Sequence, residues 1–394
     1  MIAPFSIARL PRIEFGAGTV ARIPELARTF GSQALLVTGS GAIERAPQWP
    51  ALLAGLKAAG IRWERLRVSG EPSPDLVDRS VAEYRRGGFT QVIGLGGGSV
   101  LDAAKAIAGL LPTGDSVMDY LEGVGPQRPY VGPSLPFIAA PTTAGTGSEA
   151  TKNAVLSRQG PQGFKKSFRD EQLVPQYAVV DPDLLSTCPP ALIAANGMDA
   201  LTQLMESYVS LRANAFTDAL AVSGLEAVRD ALLPWYEHGA KAAQALGPMA
   251  YASLLSGICL AQTGLGSVHG LASPLGALYP IPHGVVCGTL VGAATKINIR
   301  VLEARAPDSP ALAKYACVGR LLTGKDLDDR GARSALVALL HAWTERLQLQ
   351  RLGHYGVGAD DLDRIVAGSR GSSMKTNPMV LTDDEIAAVV RARL

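Results

Sequence analysis

QVIGLGGGSVLDAAKAIAGLL, residues 91–111, is the stretch on which the fold turns. Residues 91–95 form an apolar run without alternation, the pattern of a strand buried on both faces. Gly96, Gly97, Gly98 and Ser99 follow, and SVLDAAKAIAGLL reads as a helix. Glycines let the backbone approach a ligand closely, and free N–H groups at a helix start attract anionic oxygens, a diphosphate above all. The spacing matches neither G-x-G-x-x-G nor the phosphate-loop pattern that needs a lysine after its last glycine. Position carries the reading instead: a buried strand before the turn, a helix after it.

Outward from this unit the same rhythm continues. Residues 9–16 read as a short strand and 20–30 as a helix; 34–38 (ALLVT) form a buried strand running into the flexible turn Gly39-Ser40-Gly41-Ala42. Helix 50–59, strand 61–68 and helix 74–87 lead to the central stretch, and strand 135–140 (LPFIAA) follows it. Such alternation predicts a doubly wound, mostly parallel Rossmann-like sheet with ligand at the carboxyl ends of its strands. After the 135–140 strand comes PTTAGTGSE, a run of small and hydroxyl residues suited to lining a pocket; Thr142, Thr143 and Thr146 lie in it. Lys165 is expected near the cofactor, and 177–181 (YAVVD) reads as the last strand.

Prolines and short polar residues gather at 181–190, so the chain divides into an α/β domain over 1–187 and an all-helical domain over 188–394. Helices are expected at 191–210, 214–231, 238–263, 286–299, 309–322, 330–349, 359–367 and 383–393. Two segments of this half carry chemistry. In NGMDALTQLMESYVS, Asp199 and Gln203 stand four apart and share a helix face. GLGSVHGLASPLGALYPIPHG supplies His269 and His283, the latter in a Pro-His-Gly turn. Alone, such an Asp is usually a helix cap and such a His an ordinary core or surface residue. Yet two of the five histidines fall here, and a carboxylate, an amide oxygen and two imidazoles together match a site for zinc or ferrous iron.

Composition narrows the class. At 394 residues the chain exceeds the size of one core, so two domains are expected. A net charge of +2 without a basic stripe offers no footprint for nucleic acid. The apolar runs are broken by Gly, Pro or charge, and the N-terminus lacks a charged leader with an apolar core, so neither membrane span nor signal peptide is expected. Four cysteines without a C-x-x-C pair suit reduced thiols in the cytoplasm.

Taken together, IEFGAG (13–18), GGGSVLDAAKA (96–106), PTTAGTGSEAT (141–151), VVDPDLL (179–185), GMDALTQLMESYVS (197–210), VHGLASPLGALYPIPHG (268–284) and TNP (376–378) resemble the iron-containing (group III) alcohol dehydrogenases. This family is related to glycerol dehydrogenase and dehydroquinate synthase. The resemblance spans nearly the whole chain and implies a dehydroquinate synthase-like fold, an α/β half followed by an all-α half. It implies an NAD- or NADP-linked, metal-dependent interconversion of a small alcohol and its aldehyde or ketone, in a homodimer or higher homo-oligomer. Gly97, Gly98 and Ser99 would hold the diphosphate with Asp102 close by. Thr142, Thr143 and Thr146 would line the nicotinamide and ribose, and Lys165 would contact the cofactor. Asp199, His269 and His283 match three of four metal ligands.

Three positions depart from the family pattern. Gln203 replaces a histidine ligand, and an amide oxygen is a weaker, neutral donor. Ser273 stands where a proton-relaying histidine is common; its hydroxyl passes a proton but does not hold one near neutral pH. Gly39 replaces the acid that bonds the adenosine ribose in NAD-preferring members, which removes a clash with a 2′-phosphate, and Arg45 is expected nearby. Rival readings are a metal-free reductase of the maleylacetate type and an inactive cofactor-binding relative. A lyase or cyclase of the dehydroquinate-synthase type fits less well.

Overall fold

The first half alternates as the sequence predicts. β1 (Arg12–Phe15), α1 (Ile23–Arg28), β2 (Gln33–Gly39), α2 (Gln48–Ala58), β3 (Arg62–Val68), α3 (Pro74–Tyr84), β4 (Gln91–Gly96), α4 (Gly98–Leu110) and β5 (Phe137–Pro141) follow one another. A hairpin of β6 (Asn153–Arg158) and β7 (Phe164–Arg169) then precedes β8 (Tyr177–Val180). This computed structural model describes residues 2–394. Six strands form one sheet in the order β1-β8-β5-β4-β2-β3, every pair parallel.

Successive side chains of a strand point to opposite faces, and the sheet uses both. Ala34, Leu36, Ile93 and Ile138 pack on one face against Ile23 and Leu26 of α1 and Leu52 and Leu56 of α2. Leu35, Val37, Val92 and Ala139 pack on the other against Val77 and Val81 of α3 and the apolar side of α4. The sheet is therefore doubly wound. The helices leaving β2 and β4 go to opposite faces, so the crevice between these neighbouring strands is a topological switch point. The Gly-rich turns after both strands lie at its mouth.

Beyond β8 the chain is helical: α5 (Pro190–Val209), α6 (Ala215–His238), α7 (Ala243–Thr263), α8 (Ser267–Leu278), α9 (His283–Arg305), α10 (Pro310–Thr323), α11 (Asp329–Arg346), α12 (Leu362–Gly368) and α13 (Asp383–Arg391). One continuous core joins them, with Met198, Leu201, Leu271, Leu275, Val286 and Leu290 among its fully buried members. α7 and α9 are long and apolar enough to cross a membrane by composition, but most of their residues are buried within this fold.

Three features differ from the sequence reading. The β6–β7 hairpin is antiparallel and stands apart from the main sheet, joined by the turn at 159–163. Its strands mix charge with short apolar stretches (NAVLSR, FKKSFR), so neither alternation nor a continuous apolar run marks them. α8 was also not expected, because Pro274 and several glycines interrupt it. His283, read as part of a turn, is instead the first residue of α9.

Candidate active site

A cavity of about 690 Å³ opens between the sheet and the helices. Roughly 300–1,000 Å³ is usual for small-molecule and cofactor sites. Gly98, Ser99, Asp102 and Thr146 line it from the sheet side; Gln203, His269, Ser273 and His283 line it from the helical side. Lys165 belongs to the same wall.

At the glycine turn, Gly97 caps α4 in extended backbone, so the helix's free N–H groups face the crevice. A side chain on Gly98 would meet Thr146 Cγ2 at 2.7 Å, and one on Gly97 would meet Thr143 at 3.2 Å. The glycines thus let the turn and the threonine loop lie against each other. Thr142 is held further back: its N–H donates to Gly96 O at 3.0 Å and its carbonyl accepts from Cys188 Sγ at 3.2 Å. Gly39 ends β2 with Val100 as its neighbour, and Arg45 lies on the exposed turn beyond it, beside Gly41.

Asp102 is bound into the protein. Ser148 Oγ donates to its Oδ1 at 2.5 Å and the Val155 N–H to its Oδ2 at 3.1 Å. Burial pushes its carboxyl above the usual range despite Lys105 nearby. Lys105, which the sequence reading passed over, is fully buried. Its Nζ reaches Ser148 O at 2.8 Å, Thr151 Oγ1 at 3.1 Å and Asn153 O at 2.7 Å, fastening the threonine loop to α4. Burial lowers its pKa to about 8, against the pull of Asp102 and Glu149. A lysine three residues after Asp102 in an otherwise apolar helix was the available signal. Lys165 Nζ donates to Glu71 Oε1 at 2.6 Å, and Ser157 Oγ donates to Glu71 Oε2 at 2.7 Å.

The two segments of the helical half meet as the sequence predicts. Asp199 on α5, His269 on α8, and His283 and Cys287 on α9 bring one donor atom each within 4.8 Å of one another. His269 Nε2 lies 3.3 Å from Asp199 Oδ1, and His283 Nε2 lies 3.8 Å from it. Glu206, one of the residues missed, sets the orientation. A carboxylate only accepts, so His269 Nδ1 carries the proton that bonds Glu206 Oε2 at 2.7 Å, which leaves Nε2 facing Asp199. Glu206 also accepts from the N–H groups of Gly266 at 2.9 Å and Val268 at 2.7 Å, fixing the start of α8. Gln203, one turn after Asp199, is buried with its Oε1 at 3.0 Å from Ser256 Oγ. Ser273 lies one turn after His269 on α8.

Charge at this cluster favours a cation. Burial works to raise the Asp199 carboxyl, but His283, His269 and Cys287 outweigh it and hold it at about 2. Burial likewise opposes protonation of His269, yet Cys287, Asp199 and Glu206 raise it well above the ordinary imidazole value. His283 goes the other way, pushed down to about 4 by burial, with Lys165 and His269 adding to the effect. Asp199 Oδ2 is buried and has no hydrogen-bond partner, a costly state for a carboxylate oxygen unless something positive meets it. An acid, two imidazoles aimed at one point and this orphaned oxygen fit a divalent cation.

Comparison with known proteins agrees with the geometry. Residues 11–182 match the family model described as iron-containing alcohol dehydrogenase, and 193–394 match the C-terminal model of the Fe-containing alcohol dehydrogenase family. The chain is 31% identical to alcohol dehydrogenase 4 of Schizosaccharomyces pombe, over 99% of this chain and 90% of that one. It is 29% identical to the NADPH-dependent butanol dehydrogenase of Clostridium saccharobutylicum, over 96% of each. Among solved structures it superposes on a 1,3-propanediol oxidoreductase with a TM-score of 0.88, at 29% identity and complete coverage of both chains.

Proposed function

The chain belongs to the iron-containing alcohol dehydrogenase family, and on that premise we propose which of its residues hold the metal and the nicotinamide cofactor. It is an NAD(P)-linked, metal-dependent oxidoreductase that interconverts a small alcohol with its aldehyde or ketone. Asp199, His269 and His283 hold the divalent cation, iron or zinc, with Gln203 as a neutral donor on the cavity side. The observation that carries this assignment is the convergence of the three donor side chains at the wall of the cavity that begins at Gly98 and Ser99. A bound cation there lowers the pKa of an alcohol hydroxyl, and a nicotinamide exchanges the hydride.

The chain's own groups do the rest. N–H groups at the start of α4 bind the diphosphate, with Asp102 holding the Ser148 turn beside it. Thr146 lines the wall for nicotinamide and ribose, with Thr143 packed beside Gly97 and Thr142 set behind it, and Lys165 contributes a cation between Glu71 and the metal side of the cavity. Ser273, one turn from His269, passes the hydroxyl proton toward solvent. NADP is accepted as well as NAD: Gly39 leaves room for a 2′-phosphate, and Arg45 makes no ion pair among the described residues. Rates with NADPH and NADH on a panel of short aldehydes test this, and use of NADH alone contradicts it.

The location is cytoplasmic, in keeping with four free thiols, and the assembly is a homodimer or larger. β1 is an edge strand whose Ile13 and Phe15 are exposed, which supports pairing with a second copy. Replacing His283 with Ala tests the metal assignment. Loss of bound metal and a fall in kcat/KM on the order of 100-fold or more are expected; unchanged turnover with full metal content rules His283 out.

A further inference from the structure

We propose that the Cys287 sulfur is a direct ligand of the metal, so that this chain binds its ion through a mixed Asp-His-His-Cys set and favours zinc over ferrous iron. The inference rests on the metal assignment above and adds a donor to it.

Cys287 follows His283 by four residues on α9, which places both side chains on one face of the helix. Its Sγ lies 3.6 Å from His269 Nε2 and 3.8 Å from His283 Nε2. The distances from Asp199 Oδ1 to the same two nitrogens are 3.3 and 3.8 Å. Zinc bonds of about 2.0–2.1 Å to N or O and about 2.3 Å to S set the edges of a regular tetrahedron. Those edges are about 3.3 Å between N or O donors and about 3.6 Å where sulfur is one of the pair. Three of the four separations lie within about 0.2 Å of these edges, and the fourth, His283 Nε2 to Asp199 Oδ1 at 3.8 Å, is longer by about 0.5 Å, before any ion draws the donors together. A cysteine that merely filled core space would have no reason to share this geometry with three ligating groups.

Burial supports the same role. Asp199 and Cys287 are fully buried and form the floor of the cluster, whereas His269 and His283 reach the cavity. The sulfur is therefore shielded from solvent oxidants and reagents, and the Asp199 Oδ2 without a hydrogen-bond partner lies in the same pocket of donors. The cluster opens toward the cavity, where Gln203 also sits. A neutral amide oxygen there is the donor a substrate most easily displaces. Soft thiolate with imidazole selects zinc, whereas sets of harder oxygen donors leave the choice more open.

Cobalt(II) titration of the metal-free full-length protein tests this by absorption spectroscopy, because a thiolate bound to cobalt gives an intense near-ultraviolet charge-transfer band that N and O ligands do not. One equivalent of cobalt is expected to produce the band in the wild type and in Gln203→Ala, and the band is lost in Cys287→Ser. The zinc-to-iron ratio retained after anaerobic competition falls in Cys287→Ser as well. Stoichiometric cobalt binding by the wild type without the band overturns sulfur ligation and leaves the metal site standing. No cobalt binding at all overturns both.

Discussion

The carboxylate of Glu206 accepts the Nδ1 proton of His269 and the amide protons of Gly266 and Val268, so it orients the proposed metal ligand and caps a helix at once. Partners of this kind typically govern metal affinity by 10–100-fold. Glu206→Gln keeps the size but gives up one acceptor oxygen and the negative charge. It is expected to weaken metal binding by roughly tenfold or more, read by competition with a chelator, while secondary structure by circular dichroism is retained. Unchanged affinity argues that His269 is oriented by something else. Glu149 shows the opposite use of burial. It is fully enclosed, and burial raises its carboxyl to about 7 from an ordinary 4.5, with Lys105 opposing. The folded state therefore binds a proton that the unfolded chain has released between these values. Stability contributed by this group is complete below pH 4.5 and is lost as pH rises through about 7. Glu149→Gln is expected to flatten that decline by about 2–3 kcal/mol, measured by denaturant unfolding at pH 5 and pH 7.5. Equal slopes in the two proteins contradict the assignment.

Between elements, the contact that fixes the cavity is one of backbone on backbone. Gly147, in the threonine loop at φ +59°, lies against Gly257 of α7 so closely that a side chain on Gly257 would meet the Gly147 carbonyl. The threonine loop, which lends Thr146 and Ser148 to the cavity wall, is thus seated directly on the helical half. Gly257→Ala is expected to destabilise the protein by about 1–3 kcal/mol through overpacking and to raise KM for the cofactor. Gly247, in the same helix, has open space around its missing side chain. There Ala is expected to be neutral or to stabilise by up to about 1 kcal/mol. Thermal denaturation of the pair separates a packing requirement from helix propensity, and similar shifts for both remove the contact's significance.

At the scale of the whole molecule, the buried strands were legible because each is a short apolar run without alternation, as in ALLVT and QVIGL, and most helices of the second half because their apolar residues recur at helical spacing. Asp199, His269 and His283 were legible as a set because acids and imidazoles are scarce in such apolar surroundings. Cys287 was not, since a cysteine in a helix reads as a small apolar residue until its neighbours in space are known. Glu206 and Lys105 were hidden for a related reason: each serves a partner 43 or more residues away, beyond any periodicity along the chain. The hairpin and α8 escaped because charge and proline mask their patterns.

The donors of α5, α8 and α9 lie within 4.8 Å of one another, and the proposed cation between them is a requirement for turnover in this reading. The measurement that bears on it most directly is the rate of NAD(P)H oxidation with a short aldehyde, taken on protein stripped of metal and again after one equivalent is restored. The stripped protein is expected to show at most a trace of the rate and to recover on adding zinc or ferrous iron. Full activity in the metal-free protein would contradict that requirement.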